Sequence, residues 1–274
     1  SGLGLMGQNK HFDVLLERVQ RAATHRDEMW HIASEHLEAH PVVKHIDRRE
    51  DEQIIMVEST HPFPPALSVL FGEWLYNLRA ALDGLFYELV VYDTATDPPP
   101  NAGRLSYPMT TSLASFNERI PSALSERMRE FIEATQPYHS TGGHLGSALW
   151  WINELARLDR HRRGRSLTWR VIELEVNGPA LAIDDSRTRI CDQFAAFIRD
   201  DEQLELARIA TKPGFTPKGD DGIDVSWKIQ FDVPEWVQQS VPSYGAWSMD
   251  DRMANAEVTV HETVQFFRHH LFDI

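Results

Sequence analysis

The chain has 274 residues, with 27 basic and 41 acidic side chains and a formal charge of −14. A composition of 42% hydrophobic and 25% charged residues is that of a globular protein and excludes a disordered, fibrous or low-complexity chain. The single cysteine, Cys191, excludes an internal disulfide and any multi-cysteine zinc or iron–sulfur centre, and no run reaches the roughly 18 apolar residues of a membrane span, so a cytoplasmic protein is expected.

Residues 1–8 lack the basic start and apolar stretch of a signal peptide and read as a tag remnant or disordered start. From Asn9 to about His40 no glycine or proline interrupts the chain, and Phe12, Leu15, Leu16 and Val19 recur at helical spacing. Pro41 ends that helix. The charged stretch 47–52 reads as a connector, and Ile54-Ile55-Met56-Val57 as a short strand closed by Pro62, Pro64 and Pro65. The strongest helix runs from Ala66 to about Val91, with an apolar face of Leu75, Leu78, Leu82, Leu85, Phe86 and Leu89.

Residues 97–101 form a loop, 112–118 one helical piece, and Pro121 opens a helix reaching about Thr135. Gln136-Pro137-Tyr138 breaks it; Gly142-Gly143 starts a connection; Leu145 to about Arg160 is the next helix. After Gly164 the period changes. Strands are expected at 167–176, 204–211 and 225–233, the last from the strict alternation of Val225, Trp227, Ile229, Phe231 and Val233 with polar residues. A short helix is expected around Ile190, Phe194, Phe197 and Ile198, and a final helix from about Met249 to Leu271. The sum is α+β: a helical body over 9–164, then a mixed β/α portion over 165–274 with a small antiparallel sheet and a C-terminal helix, folded as a single domain over 9–274.

Two segments concentrate chemistry. In 77–84, Asn-Leu-Arg-Ala-Ala-Leu-Asp-Gly, Arg79 and Asp83 share a helix face beside the apolar stripe, where an arginine needs a partner or a ligand. In 153–165, Arg157, Arg160, Arg162, Arg163 and Arg165, joined by Arg170, stand beside His161 against Glu154 and Asp159. Cations at a helix C-terminus suit the macrodipole, but six arginines exceed what capping requires and would also make a phosphate-binding surface in an acidic protein. Glu28, His31, Glu35, His36, Glu38 and His40 crowd the first helix, yet the second Glu-x-x-His that a di-iron bundle needs is missing, so neither metal nor cofactor is expected. Cys191, among Ile190, Phe194 and Phe197, reads as an inert thiol. Phosphate-loop, dinucleotide-binding, serine-nucleophile and zinc-protease motifs do not occur.

Asn77, Leu78, Arg79, Ala81, Leu82 and Asp83, then Gln136-Pro137-Tyr138, then Asn153, Asp159, Arg160, His161 and Arg162 resemble the motifs of a family of mostly uncharacterised bacterial proteins. The resemblance spans about 54–170, and the arginine-x4-histidine spacing of that family's helix is similar to the motif of HEPN domains, helical modules of toxins, ribonucleases and defence proteins. It implies a HEPN-like helical bundle and metal-independent RNA cleavage at a homodimer interface, arginine holding the phosphate and histidine transferring the proton. This sequence departs from the pattern at the fifth residue after Arg79, which is Gly84. Arg26 and His31 have the same spacing on the first helix.

Two function classes stand on these residues. One is a non-catalytic or degenerate HEPN-like interaction protein in which they form a buried network. The other is an RNA- or nucleotide-directed toxin or defence protein, with Arg79 and His161 as catalytic pair and Asn77, Asp83, Asn153, Asp159, Arg160, Arg162 and Arg163 binding the ligand. In that reading RNA or another phosphate-bearing partner lies on the 157–170 arginines, and no membrane is involved.

Overall fold

A computed structural model describes residues 2–161, 167–215 and 222–272, with the backbone alone at 2–8 and 161. It is an α+β protein with two small antiparallel sheets and a C-terminal helix. The chain divides into two compact units, each assembled from separate stretches of sequence: 1–30, 68–164 and 239–274 make one, and 31–67 with 165–238 make the other.

The first unit is helical. Helix α1 (Gly2–Glu38) contributes its residues 2–30, so helical backbone extends upstream of the expected start at Asn9. Helix α2 (Pro65–Thr94) opens on a proline, whose missing N–H has no partner to lose in a first turn. It buries Trp74, Leu75, Leu78, Leu82, Leu85 and Leu89 completely or nearly so. Helix α3 (Leu113–Arg119) is capped by Ser112, whose hydroxyl accepts from the Ser115 amide at 3.2 Å.

Helix α4 (Glu126–Ala134) begins later than Pro121 predicts. Ser125 caps it and is itself held by Asp93, which accepts from its amide and hydroxyl at 2.6 Å each. Capping chemistry, and not the proline, decides where the helix starts. Helix α5 (Ala148–His161) follows two short 3₁₀ turns, 137–139 and 143–146. Two further short helices, α6 (Pro234–Gln239) and α7 (Pro242–Gly245), lead to α8 (Met249–Phe272), which packs on α5.

The second unit holds the sheets. Strands β1 (Val42–Arg48) and β2 (Glu52–Ser59) form a hairpin, Val42 opposite Ser59 and Arg48 opposite Gln53. The expected 47–52 connector is therefore the hairpin's turn with the strand ends on either side of it. Strand β1 escapes a hydrophobic reading because it is half exposed and largely charged.

After β3 (Thr168–Asn177) come two-residue strands β4 (Arg189–Ile190) and β5 (Phe197–Ile198), then β6 (Gln203–Ala210) and β7 (Asp224–Asp232). The sheet orders are β1-β2-β6-β4 and β5-β3-β7, every pair antiparallel. The helix expected around 190–198 does not form. Ile190 pairs with Ala207 and Phe197 with Arg170, so sheet edges captured an apolar spacing that four residues could offer to either structure. The single expected sheet is two because residues 42–59 join the C-terminal strands. Among the described residues no helix is long and apolar enough to cross a membrane.

Candidate functional site

Arg79 lies on the middle turns of α2, its side chain about one-fifth exposed. Nε and Nη2 reach the two oxygens of Asp83, one turn on, at 3.3 and 3.2 Å. Nη1 donates to Asn153 Oδ1 on α5 at 3.0 Å and to the Met109 sulfur at 3.5 Å. Nη2 also donates to the Ser106 hydroxyl. A guanidinium has five N–H donors; four of them are hydrogen-bonded here, and Nη2 also stands in ion-pair contact with Asp83, so each of the three nitrogens has a partner. Burial draws the Arg79 guanidinium below its ordinary value, Asp83 opposes that, and Arg160 and Arg119 add to it by like-charge repulsion.

Asp83 is equally occupied. Besides Arg79 it accepts from the Ser106 hydroxyl at 3.2 Å and the Tyr107 amide at 2.9 Å. The segment 105–110 is thereby pinned to α2 from one side. Gln136 pins it from the other: its carbonyl accepts from the Thr110 amide and hydroxyl at 3.2 and 2.9 Å, and its amide donates to the Pro108 carbonyl at 2.9 Å and the Ile132 carbonyl at 3.2 Å. Tyr107, Met109, Thr110 and Gln136 are each at most 2% exposed. A buried segment outside helix and sheet must have its backbone groups satisfied by side chains, and Asp83 and Gln136 do so here. The Asn-Leu-Arg and Gln-Pro-Tyr motifs, about 55 residues apart in the sequence, converge on this strap. Tyr138 of the second motif turns away and donates to Glu133 at 2.5 Å.

Of the other expected ligand residues, Asn77 spends its amide on the Glu73 carbonyl of its own helix at 2.9 Å. Asp159 lies two helical turns from Arg79, where a Cβ on Gly72 would come within 3.0 Å of its carboxylate, and burial raises its pKa. Arg160 is exposed and donates to the Ala156 carbonyl of α5 at 3.1 Å. The side chain of His161 and residues Arg162, Arg163 and Arg165 lie outside the described residues.

Of the 157–170 arginines, those described have different surroundings. Arg157 is tied to Glu154 at 2.9 and 2.5 Å, and Arg170 is buried against Asp232 at 2.9 Å. The second arginine–histidine pair also parts: Arg26 binds Glu257 and Asp250 at 2.9 and 2.7 Å, while His31 is exposed beside Glu35 at 3.3 Å. Among the described residues no three histidine, cysteine or carboxylate side chains gather as metal ligands would.

Gly84 has a packing reason. A Cβ built on it would lie 2.6 Å from a methyl of Leu15 on α1, itself a buried side chain. The Leu15 side chain fills the space beside Gly84, and an imidazole at that position would have to displace it.

Sequence reasoning missed Ser106, Tyr107 and Met109. Their one signal is a stretch with neither helical nor strand period that still carries large apolar residues between two loops. Compared with protein-family models, with curated proteins and with solved structures, the chain finds no match.

Proposed function

We propose that the protein is a non-catalytic, HEPN-like interaction module in which the motif residues are a structural knot. The observation that carries this reading is that all three Arg79 nitrogens are engaged within the protein, by Asp83, Asn153, Met109 and Ser106, so that a phosphate would have to displace these partners. Gly84 agrees with it, since helix packing occupies the place where the proton-transferring imidazole would stand. An RNA-directed toxin or defence protein is the second reading, favoured by Arg119 and Arg160. Both are exposed, both act on Arg79 electrostatically, and neither has a carboxylate partner among the described residues.

The two separate on Arg79→Ala. In a structural knot the substitution leaves Asp83 and Asn153 short of a donor and costs about 2 kcal/mol, which lowers the melting temperature by roughly 4–8 °C in a chain of this size. It should leave RNA binding and any background RNA cleavage unchanged. A variant as stable as the wild type that loses RNA cleavage would establish the second reading instead.

A further inference from the structure

Helices α1 and α8 run antiparallel, and cross-helix ion pairs clamp their seam at two levels. Asp13 meets Arg268 at 3.0 Å at one end, and Arg26 meets Glu257 at 2.9 Å at the other. The clamps stand thirteen residues apart along α1, about 20 Å of helix at 1.5 Å per residue. Along this stretch the seam is a groove of about 530 Å³.

Its floor is apolar: Leu16, Val19 and Ala23 of α1 follow one another at three- and four-residue intervals, and Val258 of α8 faces solvent at 52% exposure. Its rims are acidic. Glu17 and Glu262 are exposed, and neither forms an ion pair among the described residues. Glu257 already serves Arg26 and the Trp74 indole, and burial raises its pKa. No lysine or arginine lines the groove; His261 is the one group there able to become cationic.

We propose that this groove docks a cationic amphipathic helix of another protein. Two antiparallel helices offer a third helix a ready seat, read by apolar side chains at i, i+3 or i+4, and i+7. The floor supplies that seat, and Lys or Arg flanking the partner's apolar stripe would meet Glu17 on one rim and Glu262 on the other. Charge complementarity selects this occupant: a second copy of the chain would set the acidic rims against each other, and an anionic membrane would be repelled. The inference gives the interaction-module reading a partner, but its residues are separate from the Arg79 knot, so either can fail alone.

The probe is a fluorescein-labelled Leu/Lys helical peptide of about 18 residues, with leucines at helical spacing, titrated by anisotropy against the full chain. A Leu/Glu peptide of the same pattern serves as control. Saturable one-to-one binding is expected, weakening between about 0.05 and about 0.3 M salt as screening grows. Glu17→Lys with Glu262→Lys, and separately Val258→Asp, should each weaken binding by about tenfold or more, the worth of roughly one buried contact. All these positions are exposed, and thermal melts confirm that the variants fold. Glu118→Lys with Glu126→Lys, the same charge change on exposed sites of α3 and α4, should alter binding less than about twofold. Equal losses in the two charge-reversed pairs would mean that only net charge is read, and would overturn the proposal. So would absent or unsaturable binding, equal binding of the Leu/Glu peptide, or concentration-dependent dimerisation of the chain that competes with the probe.

Discussion

Arg170 on β3 and Asp232 at the end of β7 form an ion pair at 2.9 Å with side-chain exposures of 1% and 0%. The guanidinium also donates to the Gln193 carbonyl at 3.1 Å and lies about 6 Å from the rings of Phe194 and Phe197. Removing one member of such a pair strands a charge in a site water cannot reach. Asp232→Ala is therefore expected to cost about 3–5 kcal/mol in denaturant unfolding, whereas replacing both residues by apolar ones of similar volume should recover most of the loss. His36 is a second residue whose surroundings fix its behaviour. It stacks on Trp169 at 5.7 Å with the rings 5° from parallel, and His61 approaches it edge-on at 6.1 Å. Burial, with a smaller contribution from His61, lowers its pKa from 6.5. As pH falls, the unfolded chain takes up this proton before the folded one does. Stability is thus full above about 6.5 and declines as pH drops below it. Thermal melts from about pH 7 to about pH 5, followed by tryptophan fluorescence, should show that decline, and His36→Phe should flatten it.

Helix α2 is where sequence and packing pull in opposite directions. Gly84→Ala would gain nearly 1 kcal/mol of helix propensity, but the new methyl would sit 2.6 Å from a terminal methyl of Leu15, a buried side chain that must shift to admit it. Overpacking a buried contact costs about 1–3 kcal/mol, so Gly84→Ala should destabilise the protein. Leu15→Ala in the same chain should relieve the clash, a coupling that a double-mutant cycle in denaturant measures. Gly84→His, which restores the arginine-x4-histidine spacing, should destabilise further and bring no RNA cleavage. The buried strap makes a parallel case. Gln136→Ala leaves the Thr110 amide and the Pro108 carbonyl buried without partners, at about 1–3 kcal/mol for each unsatisfied group. Faster hydrogen exchange confined to 105–110 and the end of α4 is the expected signature.

At the scale of the whole molecule, each compact unit is built from separated stretches of chain. A fragment ending at Gly164, where the sequence changes texture, would lack α8, the partner of α5, and would carry β2 without β6. It is expected to show no cooperative thermal transition, while the full chain melts sharply. A stable, cooperatively melting 1–164 fragment would place a domain boundary at Gly164 after all. Circular dichroism of the expressed fragment decides between these outcomes.

The long elements were legible because their periods are long enough to be unambiguous. Helix α2, helix α8 and the alternating strand β7 were each read within a few residues of their ends. Arg79 and Asp83 were legible as a pair because i,i+4 geometry is local. Everything set by distant neighbours was not. The Ser106–Met109 strap, the buried fate of Arg170, the edge strands around Ile190 and Phe197 and the close approach of Leu15 to Gly84 all depend on residues 17 or more positions away. Periodicity fixes which face of an element is apolar; only the packed chain decides what meets that face, and a guanidinium's ligands are chosen there.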